Sequence, residues 1–348
     1  MNTREQGNST GKCHGEGLTG GVCDGETLRI AAIDLGTVSS RLLCVEVRDG
    51  AIVSSSKHTV ITDLGEGVDA LGVFSAAAVR RVADACAEFV QEACAFDAQY
   101  VCTTLTSAAR DVSNGEELLS KLVALGLKPQ VIPGEVEAAL TFYGVAHDFP
   151  GRRIAVADSG GGSTELVVGA YVPGEILELE RAQSLDIGCR RVTERFFSSL
   201  PPCVDEIERA SAWMRPQFET YWNALPQKPD CLVAVGGTVT TLVAMIHELA
   251  VYDSHFVHLR ALSLDQVEQS VQRMGALSVD EIAALPGIQA KRAPVILAGA
   301  VIVRELMRAG GYDSLTVSEN SLLVGVAATV FEAICEGRTA VGWIPELS

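Results

Sequence analysis

Residues 153–171 read RIAVADSGGGSTELVVGAY. Two apolar, β-branched runs flank a turn that holds an aspartate, a serine and three consecutive glycines, so the spacing predicts strand, turn, strand. A structural hairpin needs one or two glycines, and each further one costs backbone entropy. What consecutive glycines offer is a row of bare N–H groups that suits phosphate oxygens. Gly160, Gly161, Gly162, Ser163 and Thr164 are therefore candidate phosphate contacts. Asp158 and Glu165 bracket the turn, and both carboxylates are expected to reach one hard cation that prefers oxygen ligands, Mg²⁺ or else Mn²⁺.

The same theme occurs earlier, where residues 31–43 read AAIDLGTVSSRLL. Ile33-Asp34-Leu35-Gly36-Thr37 and Ala157-Asp158-Ser159-Gly160-Gly161 share one layout: strand, aspartate, glycine turn, strand. Two halves that open alike imply two related α/β domains facing a cleft. In the first loop Asp34 is a candidate metal ligand, Gly36 a close-approach position, Thr37 and Ser39 hydroxyl donors, and Arg41 a fork donor.

Working outward, order is expected to begin near Leu28. RIAAID, SRLLCVEVR and AIVSSSKHTVI form three antiparallel strands, with Asp49-Gly50 marking a hairpin. A helix follows with apolar positions at Val79, Val82, Cys86, Phe89 and Val90. Strand QYVCTTL, helix EELLSKLVALGL, strand PQVIP and helix EVEAALTFYGVA complete the first half. After Pro150-Gly151 the second half adds GEILELERA as a third strand, helices around IGCRRVTERFF and VDEIERASAWMRPQFETYW, and strand CLVAVG running into Gly236-Gly237-Thr238 and a helix. Later segments read as mostly helical, apart from strand LTVS. The expected division is a disordered tail over 1–28, a first domain over 29–135 joined by a helix at about 326–340, and a second domain over 136–325.

Two further segments carry polar chemistry. Thr106-Ser107-Ala108-Ala109-Arg110-Asp111 follows a strand and starts a helix, so Ser107, Arg110 and the helix end form an anion site or, equally, a capped helix with a paired arginine. Glu135 and Glu137 lie in a first helical turn, where the dipole is expected to favour the ionised form.

Composition narrows the function. The formal net charge is −17 and no run of Lys or Arg occurs, which argues against a nucleic-acid partner. Local arginines, backbone amides and a metal can still hold a polyanion. No apolar run reaches the roughly 20 residues that span a bilayer, and the N-terminal stretch lacks the apolar core of a secretory signal. Ten cysteines show no framework of spacings, and Cys44, Cys86 and Cys231 read as small buried hydrophobes in a reducing cytoplasm. Cys13-His14 and Cys23 in the glycine-rich tail are weak metal candidates.

Taken in order, Ala31–Arg41, Thr106–Asp111, Gly134–Val145, Asp158–Leu166, Ile187–Phe196, Val235–Leu242, Pro286–Leu297 and Val317–Gly325 resemble the exopolyphosphatase / guanosine pentaphosphate phosphohydrolase family, in its short two-domain form. The resemblance implies two actin-like, ribonuclease H-like domains with the active site in the cleft. It implies Mg²⁺-dependent removal of a terminal phosphate from polyphosphate or guanosine pentaphosphate. The family's catalytic glutamate falls on Glu137, its metal-linked acidic pair on Asp158 and Glu165, and its phosphate contacts on the glycine loops and Arg110. Gly236, Gly237 and Thr238 would face the phosphate chain. The sequence departs from the family at Val38, Val136 and Ser159, and at Ser318-Glu319-Asn320-Ser321, where the family carries a basic residue.

Two rival readings keep the same loops: an actin-like ATP-dependent phosphotransferase, and a regulator that binds guanosine tetra- or pentaphosphate without turnover. A homodimer is left open.

Overall fold

The computed structural model describes residues 25–175 and 177–348. The metal expectation at Cys13, His14 and Cys23, and all but the end of the expected tail, lie outside the described residues.

Three strands open the chain: β1 (Thr27–Leu35), β2 (Ser39–Arg48) and β3 (Ala51–Ile61). Asp49 and Gly50 join β2 to β3 with positive φ at both positions (51° and 77°), the geometry of a tight two-residue hairpin. Next come α1 (Val68–Leu71), α2 (Ala76–Ala95), β4 (Tyr100–Leu105), α3 (Ser107–Arg110), α4 (Gly115–Ala124), β5 (Pro129–Val131) and α5 (Gly134–Ala146). Ser75 caps α2 by accepting from the Ala78 amide at 3.1 Å, and Val79, Val82, Cys86 and Phe89 turn one buried stripe onto the sheet.

The second half holds β6 (Arg153–Ser159), β7 (Thr164–Ala170), β8 (Glu178–Leu185), α6 (Cys189–Phe196), α7 (Val204–Asn223), β9 (Cys231–Val235) and α8 (Gly237–Ile246). It continues through α9 (Ser254–Val257), β10 (Arg260–Ser263), α10 (Leu264–Met274), α11 (Val279–Ala283), α12 (Ala293–Gly310), β11 (Ser314–Val317) and α13 (Leu322–Cys335).

Pairing exposes the repeat. The first sheet runs β3-β2-β1-β4-β5, antiparallel through β2 and β3 and parallel through β4 and β5. The second runs β8-β7-β6-β9-β11, with the same pattern of directions, and adds β10 at its edge. This is the actin-like, ribonuclease H-like order, present twice. In each sheet the first strand carries an aspartate one residue before its end, beside the end of a parallel neighbour: Asp34 opposite Thr104, Asp158 opposite Val235. Ligands of open α/β sheets bind outside such strand ends.

Helices α5 and α13 fill the space between the sheets. Leu322, Leu323, Val326 and Val330 of α13 pack on β1 and β2, while α5 packs on β6, β7 and β8. The two helices meet backbone to backbone, since a Cβ at Gly144 would lie 2.3 Å from the Ser321 carbonyl and one at Gly325 would lie 1.8 Å from that of Leu140. Any larger residue there would force the helices apart.

Three expectations need correction. The third strand of the second domain lies at Glu178–Leu185, later than GEILELERA, because its pairing with β7 follows the register from Thr164–Leu185. The region read as mostly helical contains β10, a four-residue edge strand too short to show alternation. Cys44 and Cys86 are buried, but Cys231 is only half-buried, because it opens β9 at the rim of the sheet. Among the described residues no helix is long and apolar enough to cross a membrane.

Candidate active site

The two glycine turns interlock. Gly36 N–H donates to the Ser39 carbonyl at 3.0 Å and Gly160 N–H to that of Ser163 at 2.9 Å, so each loop closes on itself in the same way. A Cβ at Gly161 would lie 2.6 Å from Val38 Cγ2, and one at Gly162 would lie 2.5 Å from Ser107 Oγ. The glycine run thus serves contact between domains. Val38, a departure from the family pattern, is buried in the second domain's core.

Helix α6 clasps the junction from the second domain. Arg191 Nε donates to the Gly162 carbonyl at 2.9 Å, while its terminal nitrogens reach Asp69 and Asp111 of the first domain, both at 2.5 Å. Arg190 pairs with Asp63, and Arg195 with Asp69 at 2.9 Å.

Glu137 lies inside this junction. Its side chain is 9% exposed and its Oε2 accepts from Arg110 Nη1 at 2.7 Å. Arg110 also donates to the Ile132 carbonyl, and its other terminal nitrogen is 4.0 Å from Glu165. Arg110 therefore bonds Glu137 and stands near Glu165 rather than standing free beside the one-turn helix α3. Glu165 Oε1 accepts from Ser163 and Ser184 hydroxyls, each at 2.7 Å.

Burial dominates the protonation of these acids. It pushes Glu137 well above the carboxylate range, and repulsion from Glu165 adds to this against the pull of Arg110. The helix dipole pulls toward the ionised form, but it is worth about 0.3–1 kcal/mol, less than the cost of taking a carboxylate out of water. Burial and Asp158 raise Glu165 to about 7, against the hydrogen bonds from Ser184 and Ser163. Burial likewise raises Asp34 to about 6, opposed by Arg41.

Asp34 and Asp158 approach one groove from the two sheets, with Arg41 between them. Arg41 Nη2 is 3.1 Å from Asp34 Oδ2, but its N–H does not point along the contact, so both Asp34 oxygens are buried without a hydrogen-bond donor. Burial works against the Arg41 charge, yet Asp34, Asp158, Glu137 and Glu319 together hold it above its ordinary range.

Among the described residues no three His, Cys, Asp or Glu side chains close on a common metal point. The donor set nonetheless fits Mg²⁺, which keeps several waters and takes one or two carboxylates plus substrate oxygens. The donorless Asp34 carboxylate, with Asp158 and Glu165 both inclined to hold protons, is a group of acids short of positive charge.

Two cavities meet here. A small one of about 40 Å³ is bordered by Glu137, Asp158, Glu165 and the loops carrying Gly36, Thr37, Ser39, Ser107, Gly160–Ser163 and Gly236–Thr238. A large one of about 880 Å³ lies between the domains. Arg41, Gly236, Gly237 and Arg292 border both and form a throat. Thr164 is fully buried and its hydroxyl donates to the Ile187 carbonyl at 2.6 Å, so it supports the loop and does not border the small cavity. Asp34 also lies behind the lining, acting through Arg41.

Arg292 is the residue that sequence reasoning missed. It caps α12 and lies against Gly237, where a Cβ would come within 1.9 Å of its Nη1. Burial and the neighbouring Arg41 depress its pKa, and it makes no ion pair among the described residues. An unpaired, half-buried cation at a throat calls for an anion. Its only signal in the sequence was a basic pair, Lys291-Arg292, just before a long apolar helix.

The Ppx/GppA phosphatase family model matches residues 43–331. Exopolyphosphatase 2 of Mycobacterium tuberculosis is 34% identical over 319 residues, covering 87% of this chain and 98% of its own length. The crystal structure of the Aquifex aeolicus Ppx/GppA family member is 29% identical and superposes with a TM-score of 0.72, covering 88% of this chain and 98% of the other. An exopolyphosphatase structure from Cytophaga hutchinsonii is 25% identical with a TM-score of 0.78, covering 90% and 100%.

Proposed function

The chain belongs to the Ppx/GppA phosphatase family, and from that premise we propose that it hydrolyses phosphoanhydrides, releasing the terminal phosphate of inorganic polyphosphate with Mg²⁺ as cofactor and Mn²⁺ as a substitute. The observation that carries this reading is Glu137, buried at the junction, aimed by Arg110, and bordering a small cavity that shares Arg41 and Arg292 with a larger one.

In this reading the terminal phosphate enters the small cavity. Amides of Gly161–Ser163 and Gly236–Thr238 and the hydroxyls of Thr37, Ser39 and Ser107 take its oxygens. Arg41 and Arg292 hold the phosphates behind it, keeping the scissile bridge in line. Glu137 orients a water and accepts its proton on the carboxylate as the water oxygen attacks phosphorus. The bridging P–O bond then breaks, and the chain leaves one phosphate shorter. Mg²⁺ held by Asp158 or Glu165, with Asp34 behind them on Arg41, would neutralise charge on the phosphate oxygens and draw these acids into their ionised forms. Arg110 keeps Glu137 in place and favours its ionised form, which the base requires.

Guanosine pentaphosphate is the second reading. Leu43, Val45, Leu323, Val324 and Ala328 give the large cavity an apolar wall that a bare phosphate chain does not use. Phosphate release with Mg²⁺, measured over polyphosphates of several lengths, guanosine pentaphosphate and ATP, tests both. Release from ATP alone, or transfer to an added acceptor, would turn the reading toward an ATP-dependent phosphotransferase.

A further inference from the structure

One side chain in the large cavity works against polyanion binding. Among the described residues lining it, Arg41, Lys57 and Arg292 are cationic, and Glu319 is the one carboxylate. Glu319 follows β11 in the second domain, whereas Lys57 sits on β3, the edge strand of the first sheet. Lys57 Nζ donates to Glu319 Oε2 at 3.0 Å, so the ion pair crosses the cavity from domain to domain. The Tyr252 hydroxyl donates to the other oxygen, Oε1, and the Glu319 amide donates to His258 Nδ1 at 3.2 Å. The carboxylate is thus held at both oxygens, its backbone is held by His258, and its side chain is 14% exposed. Lys57, Tyr252 and Glu319 all border the large cavity and none borders the small one, which places them beyond the throat formed by Arg41 and Arg292.

We propose that Glu319, locked by Lys57 and Tyr252, is a specificity-determining residue: a bar across the cavity that selects short phosphate chains over long ones. This rests on the phosphohydrolase reading. A short chain, its terminal phosphate in the small cavity and the next ones on Arg41 and Arg292, ends before the bar. A longer chain must lie beside Glu319, and like charges in contact at an interface are strongly disfavoured. The alternative is to draw Lys57 onto the chain, which leaves a mostly buried carboxylate unpaired. Either way the added phosphates gain nothing from the nearest cation.

Glu319→Gln keeps the shape and the hydrogen bond to Tyr252 but removes the charge. Lys57→Gln leaves the carboxylate unpaired. Both are tested against tripolyphosphate and long-chain polyphosphate, by binding in chelator, where turnover is halted, and by kcat/KM with Mg²⁺. Wild type should favour tripolyphosphate. Glu319→Gln should raise the long-to-short ratio by roughly tenfold in both measurements, chiefly through KM, and Lys57→Gln should lower it. A ratio within about twofold of wild type for Glu319→Gln, or a shift of both variants in the same direction, overturns the proposal. If binding selectivity moves as expected while wild type releases no phosphate, the hydrolase reading falls and the bar stands.

Discussion

Replacing Glu137 with Gln isolates the proton-accepting role from the architecture around it. The substitution keeps a side-chain oxygen near Arg110 Nη1, now 2.7 Å from Glu137 Oε2, so the guanidinium retains an acceptor. The loops at Gly36–Ser39, Gly160–Ser163 and Gly236–Thr238 and the cations Arg41 and Arg292 are untouched. What disappears is the group that takes a proton from water. A positioned general base contributes about 10²–10⁴ in rate, which corresponds to about 3–5 kcal/mol of barrier. Turnover should fall by that factor in an initial-rate phosphate-release assay, while substrate affinity, measured by calorimetry in chelator, stays within about threefold.

The structure supplies a control against misfolding. Glu137 is buried and repelled by Glu165, so removing its ionisable group relieves an unfavourable contact. Thermal stability of Glu137→Gln at neutral pH should match or exceed wild type, and a loss of rate then cannot be ascribed to unfolding. Glu135 shares the same helical turn but points to solvent, so Glu135→Gln should be mild. Near-normal turnover of Glu137→Gln, or an inactive Glu135→Gln, refutes the assignment.

Chelation should abolish phosphate release, with Mg²⁺ or Mn²⁺ restoring it; full activity in metal-free buffer removes the metal from the mechanism. The metal-free protein should lose stability as pH rises. Asp34 and Glu165 titrate at about 6 and about 7 in the folded state, above their unfolded values, so the folded form binds more protons and their stabilising contribution is lost between about pH 4 and about pH 7. Thermal melts should show a shallower slope over that window in Glu165→Gln than in wild type, and parallel slopes would contradict the raised pKa. Arg191→Ala removes the bonds to the Gly162 carbonyl, Asp69 and Asp111 that join the domains, and should lower kcat/KM by roughly tenfold, mainly through KM. An effect confined to stability would make the clasp purely structural.

These expectations divide along a physical line that also explains what the sequence revealed. The repeated aspartate–glycine turns were legible because their chemistry is contiguous: Asp34 with Gly36, and Asp158 with Gly160–Gly162, each announce a strand end and a tight loop within a few residues. Helix α2 and the β2–β3 hairpin were legible for the same reason, through period and turn residues. Glu137 alone would have passed as an ordinary first-turn acid, and only its place in the family's motif order singled it out. The dipole that acts on it is written in local sequence, whereas the groups that act against the dipole come from elsewhere. Glu165 arrives on β7, Arg110 on α3, and burial comes from the packing of both domains. Arg292 lay inside a segment of the resemblance and Glu319 at a departure from it, but what each of them meets in space was not written there. Lys57 and Glu319 are 262 positions apart, and neither sits in a pattern that periodicity or turn chemistry can flag. The three glycines were read for their amides alone, yet Gly161 and Gly162 are also where Val38 and Ser107 of the other domain press against the loop. The backbone that receives a phosphate is therefore a local property of this chain. The charges proposed to decide which phosphate it receives come together only through the packing of the two domains.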